Sequence, residues 1–205
     1  MNIIELILDE DQDDIGVEAI SIVESPAIES DFVALKNQGL QLAEVNKEKK
    51  ILMGALLIPN KPIYRNNSEG EYYIYFSKET IVKASQMFLQ KGNQSNSTLE
   101  HAEVLNGLTL VESWIVENKE KDKSAVYGLD VPVGTWMGSV KVNNDEVWNE
   151  YVKSNKVKGF SIEGYFADKM ERPKDKTLGD FMTDEQKENE AILSEIKNII
   201  FDAEK

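Results

Sequence analysis

The sequence predicts an α+β fold dominated by strands, on three observations. Short runs rich in β-branched and aromatic residues recur through the first 170 residues, and about eight of them are bounded by turn chemistry. Only two segments before residue 170 carry helical periodicity. Strands follow strands without an intervening helix each time, which argues against an alternating parallel sheet.

In chain order, residues 2–8 and 16–23 read as strands joined by the acidic turn Asp9–Asp14, a plausible hairpin. The acidic run lacks the spacing and closing glutamate of a calcium loop, so it reads as a solvated turn. Pro26 interrupts pairing and sends the chain into a loop, and residues 36–50 form a polar, lysine-rich connection. Lys50–Pro59 and Glu71–Phe76 are strands with turn chemistry at Asn66–Gly70 between them. Ser77 stands as the N-cap of a helix whose inward face is Ile81, Val82, Ala84, Met87 and Phe88, ending before Gly92.

Asn93–Ser97 is a polar loop leading to His101 at a loop-to-strand edge, and strands are expected over 107–117, Ser124–Val131 and the segment from Pro132 through Val142. Asp145–Ser154 reads as a short helix with Val147, Trp148, Tyr151 and Val152 inward. Lys158–Phe166 closes a domain spanning residues 1–169. From Met170 a charged linker leads to Ile192, Ile196, Ile199 and Ile200 at helical spacing, so 170–205 is expected to be a linker and an amphipathic C-terminal helix.

The chain carries 37 acidic against 23 basic residues, a formal charge of −14. That balance argues against a phosphate-binding surface, and so against nucleic acid or an anionic membrane as partner. No apolar run of about 18 residues is present, and the N-terminus lacks a basic signal region, which together imply a cytoplasmic protein. With no cysteine and one histidine, disulfides, a thiolate nucleophile and a dedicated metal centre are not expected, and no cofactor is implied.

In the strand Lys158–Phe166, alternation puts Ser161, Glu163 and Tyr165 on one face and Phe160, Ile162 and Gly164 on the other. Ser161 is the candidate nucleophile, although a serine in a half-buried strand is most often structural. A hydroxyl nucleophile needs a base that titrates near neutral pH, and His101 is the one histidine available. Residue chemistry alone leaves the catalytic and the structural readings of both residues open.

Several blocks together resemble one family. They are Gly16-Val-Glu-Ala-Ile-Ser-Ile-Val with Pro26-Ala-Ile-Glu and Phe32-Val-Ala-Leu; Ile58-Pro with Pro62-Ile-Tyr-Arg; Glu100-His; Val111-Glu-Ser-Trp-Ile-Val; Gly134-Thr-Trp-Met; and Lys158-Gly-Phe-Ser-Ile-Glu-Gly. Their order and number are similar to those of the XkdF-like phage serine proteases, relatives of the prohead (capsid-maturation) proteases and of herpesvirus assemblin. The resemblance implies a β-barrel-like antiparallel core with flanking helices. It also implies a histidine base ahead of a serine set in a Gly-x-Ser-Ile-Gly-like strand. Here His101 precedes Ser161 by 60 positions, and Glu163 stands where the family has glycine.

Assemblin-like enzymes use a second histidine, which this chain lacks, so a carboxylate is the expected orienter. Glu163 is the local candidate. In prohead proteases the acidic member lies in a strand after the serine, resembling Val17-Glu18-Ala-Ile-Ser-Ile-Val23 here, which implies a circular permutation and the triad Ser161, His101 and Glu18 with Glu163 as the alternative third member. The same alignment places Ala27 and Ile28 in the oxyanion and substrate loop.

The function implied is that of an endopeptidase cleaving scaffold and capsid precursors, and itself, through an acyl-enzyme. It would act as a homodimer or higher homo-oligomer in the host bacterial cytoplasm, inside the assembling procapsid. The competing class is a catalytically inactive capsid-assembly or scaffolding protein with a protease-like fold. An esterase is disfavoured because the Gly-x-Ser-x-Gly elbow is missing.

Overall fold

The computed structural model describes residues 2–8, 15–28, 33–35, 49–67 and 70–168, all within the unit formed by residues 1–169. The acidic turn Asp9–Asp14, most of the lysine-rich connection and the tail from 169 to 205 lie outside the described residues.

Strands form where β-branched and aromatic residues cluster. In order they are β1 (Asn2–Ile7), β2 (Gly16–Val23), β3 (Val33–Leu35), β4 (Ile51–Leu57), β5 (Ile63–Asn67) and β6 (Gly70–Phe76). Helix α1 (Lys78–Gln90) follows, then β7 (Ser97–Leu99), β8 (Glu103–Leu105), β9 (Leu108–Ile115), α2 (Lys123–Val126), β10 (Trp136–Val142), α3 (Asp145–Val147), β11 (Gly159–Tyr165) and β12 (Ala167–Asp168). Strands dominate and helices are few, as the sequence predicts.

The strands form three open four-stranded sheets, in the orders β12-β1-β6-β5, β3-β4-β10-β9 and β11-β2-β7-β8. The barrel-like core expected from the resemblance is therefore not seen as a closed ladder among the described residues. The outer strands β3, β8 and β12 are only three, three and two residues long, too short to carry the hydrogen-bond ladder from one sheet into the next.

Two further expectations are corrected. Residues 2–8 and 16–23 do not form a hairpin: β1 pairs with β6 and β12, whereas β2 pairs with β11 and β7. The strand expected over Ser124–Val131 is replaced at its start by α2. Asp122 caps that helix by accepting the Ser124 N–H at 2.8 Å, and Gly128 turns the chain away at φ 77°. A local cap prevails there over alternation that has no neighbouring strand to pair with.

Helix α1 follows its sequence signals. Ser77 accepts the Thr80 N–H at 3.3 Å as N-cap, and Ile81, Ala84 and Phe88 are buried. Phe88 meets Trp136 of β10 edge to face, ring centres 5.7 Å apart. The core also takes in Leu52, Met53 and Leu56 of β4 and Ile20, Ile22 and Phe160 of β2 and β11. The helical segment at 145 continues as a wide turn over Trp148–Val152, with Val147 and Trp148 buried.

Candidate active site

The site is assembled on the sheet β11-β2-β7-β8. Antiparallel pairing sets Ser161 of β11 opposite Ser21 of β2, and parallel pairing sets Ser21 beside Thr98 of β7. Directly paired residues share a face, so Ser161, Ser21 and Thr98 form one polar row across three strands. Glu163, two residues beyond Ser161, lies on the same face. The apolar residues Phe160, Ile20 and Ile22 face the other way, into the core.

His101 reaches this face from the turn between β7 and β8. The Ala102 N–H donates to the Leu99 carbonyl at 3.0 Å, and the two central residues, Glu100 and His101, have φ of 51° and 58°. This is a turn of the primed kind, normally made by Asn or Gly. Two consecutive left-handed residues with side chains cost about 1–3 kcal/mol each, and persist only where surrounding contacts fix them. Strand β2 and the residue that follows it supply those contacts. Glu100 N–H donates to Ile22 O at 3.2 Å, His101 N–H to Ser21 Oγ at 3.0 Å, and the Glu100 carboxylate accepts the Glu24 N–H at 2.6 Å.

The turn aims the imidazole at β11: His101 Nδ1 lies 3.2 Å from Glu163 Oε1, with both side chains partly exposed. The same Oε1 accepts a hydrogen bond from the Thr98 hydroxyl. A carboxylate at Nδ1 favours the tautomer protonated there and leaves Nε2 as the basic atom. Of the candidates read from the sequence, the structure brings His101 and Glu163 into contact and sets Ser161 two positions along the same strand face.

Glu18 stands elsewhere. Val17 pairs with Gly164 and Ala19 with Glu163, so Glu18 is the extra residue of a β-bulge; it is exposed, and its carbonyl accepts the Asn96 side-chain amide at 3.1 Å. The bulge explains the glycine at 164. A Cβ there would fall 2.0 Å from Gly16 O and 2.8 Å from Val17 Cα, so only glycine admits the bulged strand.

Ser161 also lines a cleft of about 290 Å³ along the outer edge of β11. Ala27, Ile28, Ile63 and Phe166 give it apolar walls and Arg65 adds a cation, so the loop singled out as an oxyanion and substrate element shares a cavity with the candidate nucleophile. The Ile28 carbonyl accepts Lys61 Nζ at 2.5 Å. Burial lowers the pKa of Arg65 from its ordinary value. Among the described residues no cluster of three or more potential metal ligands occurs. No described helix is long and apolar enough to cross a membrane.

Sequence reasoning missed Ser21 and Thr98. Their signal was faint: one serine between isoleucines in β2, and a Ser-Thr pair in a strand too short for alternation to register.

Compared with known proteins, the chain matches the family model described as "Putative phage serine protease XkdF" over residues 40–171. The matched span includes Thr98, His101, Ser161 and Glu163 and begins after Glu18 and Ser21. No curated protein and no solved structure matches it.

Proposed function

The chain belongs to the XkdF family of phage serine proteases, and from that premise we propose that it is a serine endopeptidase using Ser161, His101 and Glu163. The observation that carries this reading is the 3.2 Å approach of His101 Nδ1 to Glu163 Oε1 on the strand face that also bears Ser161. It favours Glu163 over Glu18 as the carboxylate of the triad.

In this mechanism His101 Nε2 removes the Ser161 hydroxyl proton as Oγ attacks the scissile carbonyl. Glu163 stabilises the imidazolium formed. Collapse of the tetrahedral intermediate passes the proton to the leaving amine and leaves an acyl-serine. Water, deprotonated by the same imidazole, then releases the acid and restores Ser161. Backbone N–H groups of Ala27 and Ile28 are the proposed oxyanion donors, because that loop lines the cleft beside Ser161. The apolar cleft suits an extended peptide segment rather than a nucleic acid, in keeping with the net charge of −14.

The proposed substrates are phage scaffold and major capsid protein precursors, together with the protease itself, cleaved within the procapsid in the host cytoplasm. Activation by dimerisation belongs to the same reading, as does docking of the 170–205 segment on the scaffold. The test is incubation of the protein with these precursors, wild type against Ser161→Ala, followed by intact mass. Fragments found with the wild type alone support the reading. Uncleaved masses in both, at concentrations that permit self-association, would instead favour a non-catalytic assembly module.

A further inference from the structure

The catalytic carboxylate and histidine are each held by a residue that no triad includes. We propose that Ser21 and Thr98 are positioning residues, Ser21 fixing the backbone of His101 and Thr98 fixing the carboxylate of Glu163; the inference rests on the triad reading above.

Ser21 is fully buried in the middle of β2. Its hydroxyl donates to the Thr98 carbonyl at 3.4 Å and accepts the His101 N–H at 3.0 Å. Both functions of the hydroxyl are used, so it is the right chemistry for that place: alanine would leave the His101 N–H without this acceptor, and valine would present none. The bond matters because His101 occupies a left-handed conformation, at φ 58°, that a histidine does not prefer. Without it the turn can relax toward ordinary backbone angles, and the ring would swing away from β11.

Thr98 acts one step further out. Its hydroxyl donates to the same Glu163 oxygen that faces His101 Nδ1. A carboxylate on a freely turning side chain would offer either oxygen, or neither. Thr98 pins one oxygen at the ring. Because Ser21 pairs with both Ser161 and Thr98, the nucleophile, the histidine backbone and the carboxylate are referenced to one row of side chains across β11, β2 and β7. Small rigid errors in such a row carry directly into the reacting geometry.

The chain's single histidine makes the test direct, since one side chain gives all the imidazole-nitrogen signals. Long-range ¹H–¹⁵N spectra of the full chain, recorded at alkaline pH for wild type, Thr98→Val, Thr98→Ser and Ser21→Ala, report its tautomer without requiring proteolysis. The wild-type ring is expected in the Nδ1–H form. Thr98→Val, of the same shape, should shift it toward the Nε2–H form that free imidazole side chains prefer, and Thr98→Ser should restore the wild-type spectrum. Ser21→Ala should speed hydrogen exchange of the His101 amide while core amides of β4 and β10 keep their rates.

In turnover, Thr98→Val and Ser21→Ala should each lower kcat by about tenfold to a hundredfold with KM within about twofold. If Ser21→Ala does not fold, the two Thr98 variants decide. Wild-type tautomer, amide exchange and kcat in folded Thr98→Val and Ser21→Ala would overturn the proposal. A shifted tautomer in a protein with no proteolysis would uphold the network and refute the triad reading instead.

Discussion

Gly164 and Gly16 approach so closely at the β2 bulge that a Cβ on Gly164 would lie 2.0 Å from the Gly16 carbonyl oxygen. That contact fixes the register in which Ser161 meets Ser21 and Glu163 meets Ala19, and leaves Glu18 outside the pairing. The face of β11 that bears Ser161 and Glu163 thus depends on this glycine.

Gly164→Ala should therefore destabilise the fold by about 1–3 kcal/mol or more, since backbone and not a flexible side-chain end must give way. Urea denaturation measures this. A loss under about 0.5 kcal/mol, the range of ordinary surface changes, would mean that the bulge is not as tight as described.

Replacing the carboxylates separates the two candidate orienters. Glu163→Gln should lower kcat by a factor approaching about 10⁴, as expected when a triad carboxylate can no longer hold the imidazole tautomer. Glu18→Gln should retain near wild-type cleavage, because its side chain stands at an exposed bulge. Steady-state kinetics on a single peptide substrate would settle the order, and the reverse outcome would return Glu18 to the triad.

Asp122 offers a pH test of stability. Burial raises its pKa, but the Ser124 N–H and hydroxyl and the Trp114 indole N–H outweigh that and hold it below the usual aspartate value. The folded pKa lies below the unfolded one, so the stabilisation is present above about pH 4 and is lost as pH falls through the folded value. Asp122→Ala should cost about 1 kcal/mol at pH 7, and the deficit should be smaller at an acid pH below that folded value. Denaturation midpoints at the two pH values provide the check.

In the core, Phe88→Ala should cost about 3–5 kcal/mol, because Phe88 is fully buried and packs edge to face on the equally buried Trp136. Trp136 is further held by donation of its indole N–H to Ser113 Oγ at 2.9 Å, so the ring cannot easily turn to fill the cavity. A drop in Tm of a few degrees or less would show a core more forgiving than its packing suggests.

What could be read from the sequence follows the range of the interactions involved. Helix α1 was legible because its cap, its period and its stop all lie within Ser77–Gly92. Strand β11 was legible because alternation from Phe160 to Tyr165 is local. Strand partners were not, since β2 finds β11 more than a hundred residues away and ignores the nearby β1. The left-handed pair Glu100–His101 left no trace either, for neither residue type announces a primed turn, and contacts from β2 impose it. The approach of His101 to Glu163 depends on that turn, and the place of Glu18 outside the pairing on the bulge.

The proposed mechanism rests on Ser161 being a nucleophile activated by His101. The most direct measurement is to treat the protein with a fluorophosphonate, which phosphonylates activated serines, and locate the adduct by tandem mass spectrometry. A single adduct on Ser161 is expected, absent in His101→Ala and strongly slowed in Glu163→Gln. An adduct on another serine, or equal labelling of Ser161 in His101→Ala, would contradict it.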